Sequence, residues 1–130
     1  MPEPMVLKLD CLRLPVADLE EALTFYRDRL GHDLIWRTTT AAGLRLPESN
    51  AELVIHVEGD PPETDLTVSS VPDALLRFED AGGSVEEGPF EIAIGLCAIV
   101  RDPWGNRLVL LDTSKGLLET DAQGNVLPRP

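Results

Sequence analysis

The chain has 130 residues, 43% of them hydrophobic, and its 23 Asp and Glu against 11 Lys and Arg give a formal net charge of −12. This length suits one domain, or two small modules sharing a core, and the apolar content is too high for a disordered chain of this charge. Nucleic acids and anionic membrane surfaces both draw affinity from Lys and Arg, so the acidity argues against either partner and marks a plain soluble acidic surface or else a selective attraction of cationic ligands.

No apolar run approaches the roughly 20 residues that cross a bilayer, and Met1–Lys8 lacks the basic-then-apolar order of a signal peptide. Cys11 and Cys97 fit neither a disulfide framework nor a zinc spacing, so a reduced, cytoplasmic protein is expected.

The chain repeats itself. A slide of 52 positions lays Leu14 on Leu66, Val16 on Val68, Ala22 on Ala74, Leu23 on Leu75, Tyr26 on Phe78 and Gly31 on Gly83. In the first copy Asp18 caps a helix, with Glu21 three residues on completing a capping-box pattern. Leu19, Ala22, Leu23, Tyr26 and Leu30 form its apolar stripe and Gly31 its left-handed stop. Strands are then expected over Leu34–Thr38, Gly43–Leu46 and Glu52–Val57, with a turn at Pro47–Asn50.

The second copy begins its helix with Ser70 as cap and Pro72 in the first turn, places Val71, Ala74, Leu75 and Phe78 inward, and ends at Gly82-Gly83. Phe90, Ile92, Ile94 and Leu96 then alternate with Glu91, Ala93 and Gly95 as core strand residues or cleft walls. Asp102-Pro103-Trp104-Gly105-Asn106 joins two strands, with Asp, Pro and Gly where a type I turn places them. The fold class is therefore α+β: two tandem β-α-β-β-β modules, residues 6–58 and 63–112, joined by Gly59-Asp60-Pro61-Pro62. Residues 113–130 form a polar tail with a turn at Asp121–Asn125 in a small terminal hairpin.

With LPVADLEEALTFYRDRLG in the first module and DPWGNRLVLLD closing the second, the chain resembles the vicinal oxygen chelate superfamily over residues 6–112. That superfamily holds glyoxalase I, bleomycin-resistance proteins, fosfomycin-resistance enzymes and extradiol dioxygenases. The resemblance implies a single domain of paired modules forming a cleft in a half-open barrel, a homodimer, and, in the enzymes, up to four metal ligands. It does not fix the chemistry. Carried over one at a time, the ligand positions fall on Cys11, Glu52, Glu63 and Val109. Two of these are histidines in the family pattern and the last a carboxylate, so the resemblance implies here a cavity with neither metal nor other cofactor.

Other candidates come from the residues themselves. His56 shares the alternation of Glu52 and Val54, as a base or ligand-binding group or as a hydrogen-bonded structural residue. Glu52 and Glu63, if they point into one cleft, form either an acid–base pair with one raised pKa or a grip for a cation. Glu63 alternatively sits on a solvated linker. Cys11 is a pocket thiol or a packing residue, and Cys97 is core. Trp36 floors a ligand site, where its π face would attract a cation, or simply packs. Trp104, on a hairpin turn, rims a pocket, meets a partner chain, or packs on a loop. The expected function is metal-free binding of a cationic or aromatic small molecule, of the bleomycin-resistance type. The alternative is a glyoxalase-like lyase or isomerase working through Glu52 and Glu63, with an unusual metal set or as an acid–base pair.

Overall fold

A computed structural model describes residues 3–128. In chain order it contains β1 (Lys8–Pro15), α1 (Leu19–Leu23) continued by a π-wound segment (Thr24–Arg29), β2 (Leu34–Arg37), β3 (Ala41–Arg45) and β4 (Glu52–His56). The second series is β5 (Glu63–Thr67), α2 (Val71–Asp80), β6 (Ser84–Ile92), β7 (Gly95–Arg101) and β8 (Arg107–Leu111). The chain divides into two compact units. The first comprises Asp10–Glu63 and the C-terminal segment from Leu118; the second comprises Thr64–Leu117 and the N-terminal segment up to Leu9.

Each unit is built to one plan. In the first, the strands lie in the order β2-β3-β4-β1, antiparallel except for the parallel β1/β4 pair. In the second, β6-β7-β8-β5 repeats that order and those directions. Even the bond that closes each parallel pair recurs: Val16 N–H donates to the His56 carbonyl and Val68 N–H to the Leu111 carbonyl, both at 2.8 Å. The donors stand 52 residues apart, as the sequence repeat requires.

Local signals explain both helix starts. The Asp18 carboxylate accepts from the Glu21 N–H at 2.9 Å, and Ser70 Oγ accepts from the Asp73 N–H at a longer 3.4 Å. Removing the first cap by Asp18→Ala should cost about 1 kcal/mol, readable as a lower urea midpoint at unchanged slope; Ser70→Ala should cost less. Behind Asp18, Leu19, Ala22 and Leu23 pack on Ala42, Leu44 and Ile55. In the second unit Val71, Ala74 and Leu75 pack on Val68, Ala98, Val100 and Leu110. Each fully buried Leu, Ile or Val is worth about 1.5–3 kcal/mol, so these two clusters hold the helices down.

Two expectations are corrected in detail. The first helix leaves α geometry after Leu23: Leu30 N–H bonds the carbonyl of Phe25, five residues back, at 3.0 Å. The wider turn rotates Leu30 off the stripe, and it is 54% exposed. The alternating run from Phe90 to Leu96 is likewise not one strand, because the chain turns at Ala93-Ile94 between β6 and β7. Phe90, Ile92 and Ile94 therefore pack with Cys97, Ile99, Val109 and Leu111 on the sheet face away from α2, while Leu96 joins the helix side.

The tail is docked. Arg37 N–H donates to the Gly124 carbonyl at 2.7 Å, and Val126 N–H donates to the Arg37 carbonyl at 2.9 Å, which adds the terminal hairpin to the outer edge of β2. Among the described residues no helix is long and apolar enough to cross a membrane.

Candidate functional site

In the first unit, alternation along the strands sends Leu53, Ala42 and Leu44 toward α1 and their neighbours to the far face. That far face carries Cys11 and Arg13 from β1, Glu52, Val54 and His56 from β4, and Ala41, Gly43 and Arg45 from β3. Trp36 of β2 lies directly over Gly43. A Cβ on that glycine would collide with the indole ring, so only glycine lets the ring cross β3. Having crossed, Trp36 Nε1 donates to Glu52 Oε1 at 2.7 Å in a half-buried setting.

Glu52 is also the register neighbour of Cys11 across the parallel pair. The Cys11 side chain is buried, and neither it nor Cys97 forms a disulfide. At the other end of this face Arg13 organises two carboxylates. Its Nη2 donates to Glu58 Oε1 at 2.7 Å, and its Nε lies 3.8 Å from Glu63 Oε2. Thr40 Oγ1 completes the cluster with a 2.9 Å bond to Glu58 Oε2. Two carboxylates sharing one guanidinium leave that corner net anionic.

His56 is fully buried. Its Nδ1 accepts from the Glu58 N–H at 3.2 Å, which assigns the ring proton to Nε2 and a structural bond to the ring. Glu52 thus bonds an indole, and Glu63 lies beside a guanidinium. Sequence reasoning missed Arg13 and Glu58. Arg13 could have been found, because it shares the alternation of Cys11 on β1.

In the second unit Val109 faces Asp65 across the parallel pair and is buried among Cys97, Ile99 and Leu111. Trp104 projects from the β7–β8 turn with 84% of its surface exposed. The turn itself is rigid: Asp102 Oδ1 accepts from the Trp104 and Asn106 N–H groups, and Oδ2 from Asn106 Nδ2. The Asn106 side-chain bond is the main reason that the Asp102 carboxyl sits below the usual carboxylate range. Sequence reasoning also missed Asp112, for which no local signal exists. This buried carboxylate accepts from Val71, Leu96 and Ser114, and ties the start of α2 to β7.

Of the four ligand positions that the family resemblance implies, Val109 and Glu63 disfavour a resident divalent metal. Val109 has no donor atom and lies in an apolar cluster, Glu63 is engaged by a guanidinium, and Glu52 by an indole N–H. A metal ion at Glu63 would stand beside the positive charge of Arg13.

A family model described as the Glyoxalase/Bleomycin resistance protein/Dioxygenase superfamily matches residues 8–110. No curated protein matches the chain significantly. Among solved structures, methylmalonyl-CoA epimerase from Mycobacterium tuberculosis is similar at TM-score 0.70 and 19% identity, over 88% of this chain and 93% of that one. Methylmalonyl-CoA epimerase from Streptomyces coelicolor is similar at TM-score 0.67 and 14% identity, over 84% and 99%. An extradiol ring-cleaving dioxygenase from B. fuscum gives TM-score 0.62 and 24% identity, over 86% of this chain but 34% of that one. At these identities the likeness is one of fold.

Proposed function

The chain belongs to the Glyoxalase/Bleomycin resistance protein/Dioxygenase superfamily, and from that premise we propose that the far face of its first unit binds a small cationic, partly aromatic molecule without a metal. The function is sequestration of the bleomycin-resistance kind, in which affinity suffices and no bond is made or broken. One observation carries this reading: the Glu52 carboxylate is held against the Trp36 indole, with both groups partly exposed. An aromatic π face beside a fixed anion attracts a cation twice over, with the π contribution alone worth about 0.5–2 kcal/mol. The Glu58 and Glu63 carboxylates around Arg13 extend the anionic ground, and the net charge of −12 favours the approach of cations. The protein is taken to act as a cytoplasmic homodimer.

Isothermal titration against cationic antibiotics, bleomycin included, and polyamines tests the proposal. Saturable heat is expected with at least one member, unchanged by EDTA, and weakened about tenfold or more by Glu52→Gln or Trp36→Ala. Absence of saturable heat across the panel, or binding that requires a stoichiometric metal, overturns it. The second reading is a glyoxalase-like lyase or isomerase in which Glu52 and Glu63 act as an acid–base pair on one substrate. Turnover of the thiol adduct of an α-ketoaldehyde, lost in both Glu52→Gln and Glu63→Gln, would establish it.

A further inference from the structure

The geometry points to the C-terminal hairpin as a latch that positions Trp36, so that the tail regulates the ligand face of the first unit. The inference rests on the ligand reading above for its consequence, but its structural content is independent of it. β2 is a weak platform for a binding residue. It has four residues, lies at the end of its unit's strand order, and its pairing with β3 is irregular between Leu34 and Trp36. So short a strand with a slipped ladder holds its side chains loosely unless something braces the outer edge.

The hairpin supplies the brace at Arg37, the residue next to Trp36. Both backbone groups of Arg37 are taken by the hairpin, the N–H by Gly124 O and the carbonyl by Val126 N–H. The Arg37 side chain reaches Glu20 in the first turn of α1 at 2.7 Å. Backbone and side chain of Arg37 are thus anchored separately, and Trp36 leaves the strand toward the opposite face. Moving Arg37 moves the indole.

The hairpin is also a preformed plug. Asp121 Oδ1 accepts from the Gln123 and Asn125 N–H groups at 2.9 Å, and Oδ2 accepts from Asn125 Nδ2 at 3.1 Å. Leu127 N–H closes the pair of arms on the Glu119 carbonyl at 2.8 Å. These bonds are internal to the hairpin, so it survives as a body when its two backbone bonds to Arg37 and its close seat on Leu34 and Ile35 are lost. Gly124 makes the fit: its φ is +84°, and a Cβ there would stand 3.3 Å from Leu34 Cδ2 and 3.5 Å from the Ile35 carbonyl.

The protein contains its own control. Asp102–Asn106 has the same Asp-x-x-Gly-Asn pattern and the same bond set, with Gly105 at φ +89°, yet a Cβ on Gly105 would meet nothing within 4 Å. Gly105→Val therefore imposes the same backbone strain without lifting anything off a strand.

The test uses the full chain. With Trp104→Phe, Trp36 is the only indole, and its acrylamide quenching is compared in Gly124→Val and Gly105→Val, alongside amide exchange at Arg37. Gly124→Val is expected to raise the quenching constant severalfold and the Arg37 exchange rate about tenfold, with Gly105→Val near the parent in both. Equal effects in the two variants, or none from Gly124→Val, overturn the latch. Should far-UV circular dichroism show Gly124→Val unfolded, Asn125→Ala, which removes one hairpin bond without backbone strain, must shift both readouts in the same direction. No shift there overturns the proposal as well. Ligand titrations keep Trp104 and separate the two ideas: a loosened Trp36 with no ligand bound by the parent sinks the ligand reading alone, and an unchanged dissociation constant in Gly124→Val sinks the regulation alone.

Discussion

Asp112→Ala should destabilise the protein by about 3–5 kcal/mol. The Asp112 carboxylate is 2% exposed and accepts the Val71 N–H at 2.9 Å, the Leu96 N–H at 2.9 Å, and the Ser114 N–H and hydroxyl at 3.2 and 2.7 Å. Removing it leaves the first N–H of α2 and a β7 N–H without acceptors. Each buried orphan donor costs about 1–3 kcal/mol, and a domain's whole stability is about 5–15 kcal/mol. Urea unfolding at neutral pH reads the loss directly. Asp112→Asn should cost about half as much, because one oxygen still accepts while the amide NH2 opposes a donor.

The same residue predicts a pH dependence. Burial alone would raise the Asp112 carboxyl, but the donors from Val71, Leu96 and Ser114 outweigh it and hold the group below the usual carboxylate range. A folded value below the unfolded one, about 3.9, means that its contribution is fully present at higher pH. The contribution is lost as pH falls through the folded value. Hence the stability gap between parent and Asp112→Asn should be constant from pH 7 to about 5 and shrink on the acid side of about pH 4. The other depressed carboxyls, Asp102, Asp121 and Glu86, occur in both proteins and cancel in the difference. A gap unchanged down to pH 3 would contradict the assignment.

The second large effect is expected from Gly43→Ala. One added methyl group must occupy the volume of the Trp36 indole, and because the clash is with a rigid ring, the ring has to leave. Its departure breaks the bond to Glu52 and strips the far face of its aromatic wall. Overpacking of this kind costs about 1–3 kcal/mol in stability. Ligand affinity should fall at least tenfold, since anion and π face are separated together. Trp36→Phe is the complementary probe: it keeps a ring over Gly43 but removes the donor, costing about 1–2 kcal/mol for the half-buried carboxylate left behind. Thermal melts and titration of both variants check these values. A Gly43→Ala variant that binds as tightly as the parent would place the ligand elsewhere.

Much of the architecture was readable residue by residue. Asp18 and Ser70 announce their helices because capping is a contact over three residues. The Asp102 turn is legible for the same reason: every group it needs lies within five residues. The repeat of Val16 by Val68 required only comparison of the chain with itself. By contrast, nothing local distinguishes an α from a π continuation after Leu23, since both satisfy the backbone and packing decides which face turns inward. The terminal hairpin was legible as a turn, from Asp121 and Gly124, but its seat on Arg37, more than eighty residues away, was not.

The candidate site divides along the same line. Alternation alone put Glu52, Val54 and His56 on one face, and the 52-residue offset tied Glu63 to Cys11. The sequence by itself thus determined a duplicated β-α-β-β-β plan and an acidic composition, while the place of Val109 at a ligand position is what the family resemblance implies. Only the tertiary structure decided which group each side chain holds: Trp36 for Glu52, Arg13 for Glu58 and Glu63, and the α2 N-terminus for Asp112. Periodicity and capping are short-range and repeat along the chain, so they leave a trace in the order of residues. Hydrogen-bond partnership between distant strands depends on register and on the empty space above a glycine, and neither exists until the sheet has formed.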